Sequence, residues 1–101
     1  MTRTDKARRS NAAERIIREA YRLSRPRTNQ RVMRYELLTS GVALAVTRDE
    51  RHGGRTFVRV ARRLQDGRAV QMRKECRKQL STVQDVLTYF DGIYARYGAP
   101  Q

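Results

Sequence analysis

The sequence predicts an α+β fold: an antiparallel sheet of three to four strands, a C-terminal helix packed on one face, and a basic N-terminal helix. Three observations carry this. Apolar residues recur at steps of three and four near both ends of the chain. Between those stretches the period drops to two. The clusters "TSG", "ERHGG" and "QDG" cut the middle into pieces of strand length. A chain of 101 residues suits a single domain with a modest core.

Residues 1–9 carry Arg3, Lys6, Arg8 and Arg9 without periodicity and read as a flexible basic arm. Residues 10–25 read as a basic amphipathic helix. Ser10 or Asn11 can cap it, and Asn11 with Glu14 has capping-box spacing. Ala13, Ile16, Ile17, Ala20 and Tyr21 form its apolar stripe; Arg15, Arg18, Arg22 and Arg25 fall on the opposite side. Pro26 ends the helix and residues 26–31 form a basic linker. Residues 32–101 make the compact body of sheet and second helix.

The body begins with "RVMRYELL" and "VALAVTRD", both strand-like. One bent strand and a hairpin fit residues 31–48 equally well. Val42, Leu44 and Val46 point one way, and Ala43, Ala45 and Thr47 the other.

The segment "RTFVRVARRLQDGRAVQMRK" reads as a second hairpin, and its register decides what shares each face. A two-residue loop at Asp66-Gly67 puts Val70 and Met72 among arginines. A three-residue loop, Gln65-Asp66-Gly67, pairs Leu64 with Arg68 and brings Val70 and Met72 beside Val58 and Val60. The second register separates apolar from basic, and Gly67 suits the left-handed position it needs. The free face then carries Arg55, Phe57, Arg59, Arg63, Gln71 and Arg73. "KECRKQL" fits either more strand or a helical turn. Ser81 and Gln84 have capping-box spacing for the last helix, whose stripe is Val83, Val86, Leu87, Phe90, Ile93, Tyr94 and Tyr97. Gly98 and Pro100 end it.

Charge is the dominant compositional feature: 23 basic against 10 acidic residues, net +13. The basic residues are arginine apart from Lys6, Lys74 and Lys78. Codon bias in a GC-rich genome explains arginine over lysine but not the net charge. Such an excess favours polyanionic partners, and the guanidinium fork matches phosphates and guanine edges. No apolar run approaches the roughly 20 residues of a membrane span, so no membrane partner is expected. The N-terminal stretch is basic without an apolar core behind it, unlike a secretory signal. Cys76 is the sole cysteine, which excludes an internal disulfide and suits a reduced, cytoplasmic thiol.

Catalysis and cofactors are not expected. His52, the only histidine, sits in a predicted turn, and with Cys76 alone it does not make a metal site. Asp49, Glu50, Asp66, Asp85 and Asp91 fall in turns or on helix surfaces. "HGGR" is too short for a phosphate loop of known type. The order helix, strands, helix is similar in outline to double-stranded-RNA-binding domains, and the meander-then-helix portion to the arm-binding domains of integrases. "RKECRKQL" is basic where the first family carries a lysine-rich signature but does not reproduce it, so the likeness is one of outline and assigns no residue a role.

The expectation is therefore a non-catalytic nucleic-acid-binding protein, with DNA ahead of RNA. Its contacts would come from Arg8, Arg9, Arg15, Arg18, Arg22, Arg25, Arg55, Arg59, Arg63 and Arg73, with Phe57 stacking or wedging. The competing expectation is a small adapter or inhibitor, of the kind carried by mobile elements, docking on an acidic protein surface. A homodimer is compatible with either.

Overall fold

A computed structural model of the chain describes residues 3–22, 30–49, 55–80 and 82–101. The elements run α1 (Arg3–Tyr21), β1 (Gln30–Leu37), β2 (Ala43–Asp49), β3 (Arg55–Arg63), β4 (Ala69–Gln71), β5 (Arg77–Leu80) and α2 (Val83–Tyr97). The class is α+β, as the periodicities predict. The antiparallel sheet has the order β1-β2-β3-β4, with β5 also on β3. β4 and β5 lie in line along β3, so five segments make a sheet four strands wide. No helix among the described residues is long and apolar enough to cross a membrane.

Strand alternation divides the interior in two. Leu44, Val46, Val58 and Val60 point to one face, where Tyr89, Phe90 and Ile93 of α2 cover them. Ala43, Ala45 and Ala61 point to the other, where Ala13, Ile16 and Ile17 of α1 cover them. The helices therefore lie on opposite faces of one sheet.

Residues 31–48 resolve into a hairpin. Leu37 opposes Ala43, Leu38 donates its N–H to Val42 at 2.8 Å, and Gly41 turns the chain with φ 91°. The next hairpin adopts the three-residue loop: Leu64 N–H donates to the Arg68 carbonyl at 2.8 Å, Ala61 opposes Gln71, and Gly67 has φ 91°. "KECRKQL" does both things that its composition allows. The Glu75 and Cys76 N–H groups fold back on the Met72 carbonyl in a single turn, and β5 follows.

Both helices depart from their expected limits. α1 starts at Arg3 rather than at residue 10, because "RTDKARRSNAAER" has neither glycine nor proline and is rich in good helix formers. It stops at Tyr21 rather than residue 25, since Arg22 enters the left-handed region with φ 52°. Arg25 and Pro26 lie outside the described residues, as do His52 and Ser81. The α2 cap is Thr82 instead, whose Oγ1 accepts the Asp85 N–H at 3.0 Å. The buried face of α2 is rotated from the expected stripe: Tyr89 is buried, whereas Val83 and Leu87 are 77% and 52% exposed. The Tyr89 hydroxyl donates to the Glu75 carbonyl, which favours this rotation. At the other end Gly98 closes the helix with its N–H on Tyr94 O at 2.9 Å. A Cβ there would sit 1.8 Å from Thr39 Oγ1, so only glycine fits.

Candidate nucleic-acid interface

The seat of α1 decides what the basic surface looks like. Ala43, Ala45 and Ala61 are short, so the sheet is shallow at its middle and a helix can lie close against it. Ala13, Ile16 and Ile17 fill that trough, and Ala20, Tyr21, Tyr35, Leu37 and Ala69 pack around them. The face expected to be free is therefore covered along its centre. The expectation failed because alanines among arginines give no strong apolar signal, although they bury well.

Covering the face changes the standing of the sheet arginines. Arg63 pairs with Glu19 of α1 at 2.7 Å and also donates to the Gly67 carbonyl at 2.7 Å. The hydrogen bond from Arg63 holds the Glu19 carboxyl below its ordinary range. Arg59 is half-buried; its Nη1 reaches Thr47 Oγ1 at 3.4 Å, and its guanidinium lies 5.9 Å from the centre of the Tyr21 ring. Phe57 is also half-buried, opposite Thr47 in the register. Arg55 belongs to β3, but its side chain lies outside the described residues.

The open basic surface is on α1 instead. Arg8, Arg15 and Arg22 are all exposed; Arg8 and Arg15 stand seven residues apart, about 10 Å along one side of the helix at 1.5 Å per residue, and Arg22 follows just past its end. None of the three makes a hydrogen bond or ion pair among the described residues. Arg18 differs, being paired with Glu14 at 3.1 Å. Arg9 is half-buried. Of the α1 carboxylates whose side chains are described, Glu14 bonds Arg18 and Glu19 bonds Arg63, and Arg15 acts on Glu19 only through the weaker coulombic field.

Beyond the C-terminal end of α1 a cleft of about 530 Å³ opens, lined by Tyr21, Arg59, Gln71, Arg73 and Cys76. Its floor is a defect in the sheet. The chain turns away after Met72, so the Val60 N–H loses its strand partner. The Tyr21 hydroxyl and Cys76 Sγ take that N–H at 3.3 and 3.4 Å, and the same hydroxyl donates to the Val60 carbonyl at 3.0 Å. Tyr21 and Cys76 also touch each other. Burial first, and then the thiol contact, push the Tyr21 hydroxyl well above the ordinary tyrosine range. Gln71 Nε2 donates to the Ala20 carbonyl at 3.1 Å, tying β4 to the same helix end. Of these five residues, sequence reasoning selected Arg59 and Arg73. Tyr21 looked like the last member of a core stripe, and no pattern marks it as a hydrogen-bonding group.

The opposite side of the β4–β5 turn is structural. Glu75 is buried; its Oε1 accepts from the Tyr97 hydroxyl at 2.9 Å and its Oε2 lies 2.9 Å from Arg96 Nη2, an ion pair that does not complete a hydrogen bond. Among the described residues no group of three or more His, Cys, Asp or Glu gathers as a metal site would require. Comparison of the chain with protein-family models, curated proteins and solved structures returned no match.

Proposed function

We propose that this chain is a non-catalytic, cytoplasmic nucleic-acid-binding protein whose phosphate contacts come first from the outer side of α1. The observation that carries the reading is the set Arg8, Arg15 and Arg22, exposed and without a hydrogen bond or ion pair among the described residues, on a chain of net charge +13. Arg73 extends the basic surface at the β4 end. A helix that presents arginines away from its sheet suits the B-form major groove, about 12 Å wide, better than the deep and narrow groove of A-form RNA. DNA is therefore favoured. In this reading Arg59 and Arg63 contribute field and position more than direct groove contact, because α1 lies beside them.

The test is a titration of a short duplex at several salt concentrations, with wild type and an Arg8→Glu/Arg15→Glu/Arg22→Glu variant. Log affinity should fall linearly with log salt, by about 0.9 per phosphate neutralised. The variant should bind far more weakly and with a shallower slope. Affinity that ignores salt, or survives the triple reversal, would refute the reading.

A second reading draws on the exposed Val83 and Leu87, one turn apart on α2. An adapter docking on another protein would use such an apolar pair. Binding lost on Leu87→Ser but kept on the triple reversal would favour it.

A further inference from the structure

The cleft at the end of α1 supports a more specific assignment, one that rests on the nucleic-acid reading. Its volume of about 530 Å³ falls within the roughly 300–1,000 Å³ common for small-ligand sites. Two guanidiniums line it and no carboxylate does among the described residues. Arg59 is already oriented by Thr47 and by the Tyr21 ring, so little rotamer freedom remains to be lost on binding. Arg73 is exposed on the turn after β4 and has no hydrogen bond or ion pair among the described residues. Gln71 uses its amide N–H on Ala20, which leaves its carbonyl oxygen as an acceptor. The Tyr21 ring gives the cleft an aromatic wall.

Two cations on one cleft repel each other, and a shared anion relieves that repulsion with charge-assisted hydrogen bonds. The aromatic and amide groups beside them suit a sugar or base. We propose that the cleft binds the phosphate of a single nucleotide unit between Arg59 and Arg73, with the rest of that unit against Tyr21 and Gln71. The phosphate can be a strand's terminal monoester, an internal phosphodiester or that of a free mononucleotide.

Cys76 lines the same cleft, so the rate of its alkylation by iodoacetamide, read by mass spectrometry, reports occupancy. The probes are a hexanucleotide with a 5′-phosphate, the same hexanucleotide with a 5′-hydroxyl, and adenosine monophosphate. Binding of the two hexanucleotides is measured in parallel by fluorescence anisotropy. Occupancy should slow the alkylation, and Arg59→Gln or Arg73→Gln should each weaken the protection by about tenfold or more, as loss of a charge-assisted bond implies. Arg73 is exposed, so its variant keeps the test sound if Arg59→Gln disturbs the fold. Stronger protection by the 5′-phosphate form identifies a terminal site. Equal protection by both hexanucleotides identifies an internal phosphodiester, and protection by the mononucleotide alone identifies a free nucleotide.

Hexanucleotides that bind wild type and Arg73→Gln alike, without slowing the alkylation of Cys76, would overturn the cleft assignment and leave the α1 reading intact. If no nucleic acid binds but the mononucleotide protects Cys76, the α1 reading falls and the cleft stands. Absence of both binding and protection overturns both.

Discussion

The two faces of the sheet are built by different rules. The α2 face is deep: Leu44, Val46, Val58 and Val60 meet Phe90, Ile93 and Tyr89, all large and all buried. The α1 face is shallow: three sheet alanines meet Ala13 and two isoleucines, and ionic groups begin at its rim. Burial scales with apolar area, so the first face supplies most of the hydrophobic stabilisation. The second holds a helix close while leaving its far side free to carry charge. A small chain can thus separate the task of staying folded from the task of meeting a partner.

The sharpest way to break this division is to hollow the deep face. Phe90→Ala removes a ring stacked on Tyr94 with centres 5.9 Å apart and should cost about 3–5 kcal/mol in urea denaturation. That is a large fraction of the stability of a domain this size. The shallow face should fail in the opposite sense, by crowding. Ala45→Leu should cost about 1–3 kcal/mol, because the trough has no room for a branched side chain. It should also loosen α1 while α2 stays in place, which helix-specific hydrogen exchange would detect. An equal loss from Phe90→Ala and Ala45→Leu, with both helices exchanging together, would erase the distinction between the faces.

Alkaline pH tests both faces at once. The Tyr94 hydroxyl is pushed up to about 12, first by burial and then by its bond to Glu36, and Tyr21 is raised by burial and Cys76. Below the unfolded tyrosine value of about 10 both states keep their protons and stability should be flat. As pH rises from there toward 12 the unfolded chain ionises first, so stability should fall. Tyr94→Phe and Tyr21→Phe should each make that fall less steep. A melting temperature indifferent to pH over this interval would contradict the half-buried placement of both hydroxyls.

The smallest expected effect on folding is on the outer side of α1. Arg15→Glu with Arg22→Glu should change stability by no more than about 0.5 kcal/mol per site, as exposed substitutions usually do. Duplex binding should nevertheless drop steeply, since each reversal replaces attraction with repulsion. Those two measurements on one purified variant separate the contribution of the outer arginines to stability from their contribution to binding.

What the sequence discloses follows the strength of each local signal. The second hairpin was legible because only one register keeps Val70 and Met72 with Val58 and Val60, and Gly67 stands where a left-handed residue is needed. The end of α2 was legible because Gly98 and Pro100 are unambiguous stops. The start of α2 was offset by one residue because Ser81 and Thr82 offer the same capping chemistry. The seat of α1 was hidden by Ala43, Ala45 and Ala61, whose short side chains say little about which face is buried. Arg59 and Arg63 then resembled an open basic face, although one is stacked near Tyr21 and the other is paired with Glu19. Tyr89 was invisible for another reason: its anchor is a main-chain carbonyl at Glu75, and no side-chain pattern encodes that partner. The row Arg8, Arg15 and Arg22 was only partly visible, since it spans a boundary drawn at residue 10 that the helix does not respect.

The hydroxyl of Tyr21 at Val60 also has a consequence for observing this protein. In a regular strand the Val60 amide would be shielded by its neighbour and would exchange with solvent only when the sheet opens. Here its shield is a side chain from α1, helped by a thiol. Departure of α1 alone would therefore leave this one amide with only a weak thiol acceptor, while the amides paired between β2 and β3 stayed protected. Its exchange rate, read against theirs, gives the free energy of lifting the first helix from the sheet, separate from the free energy of unfolding the whole.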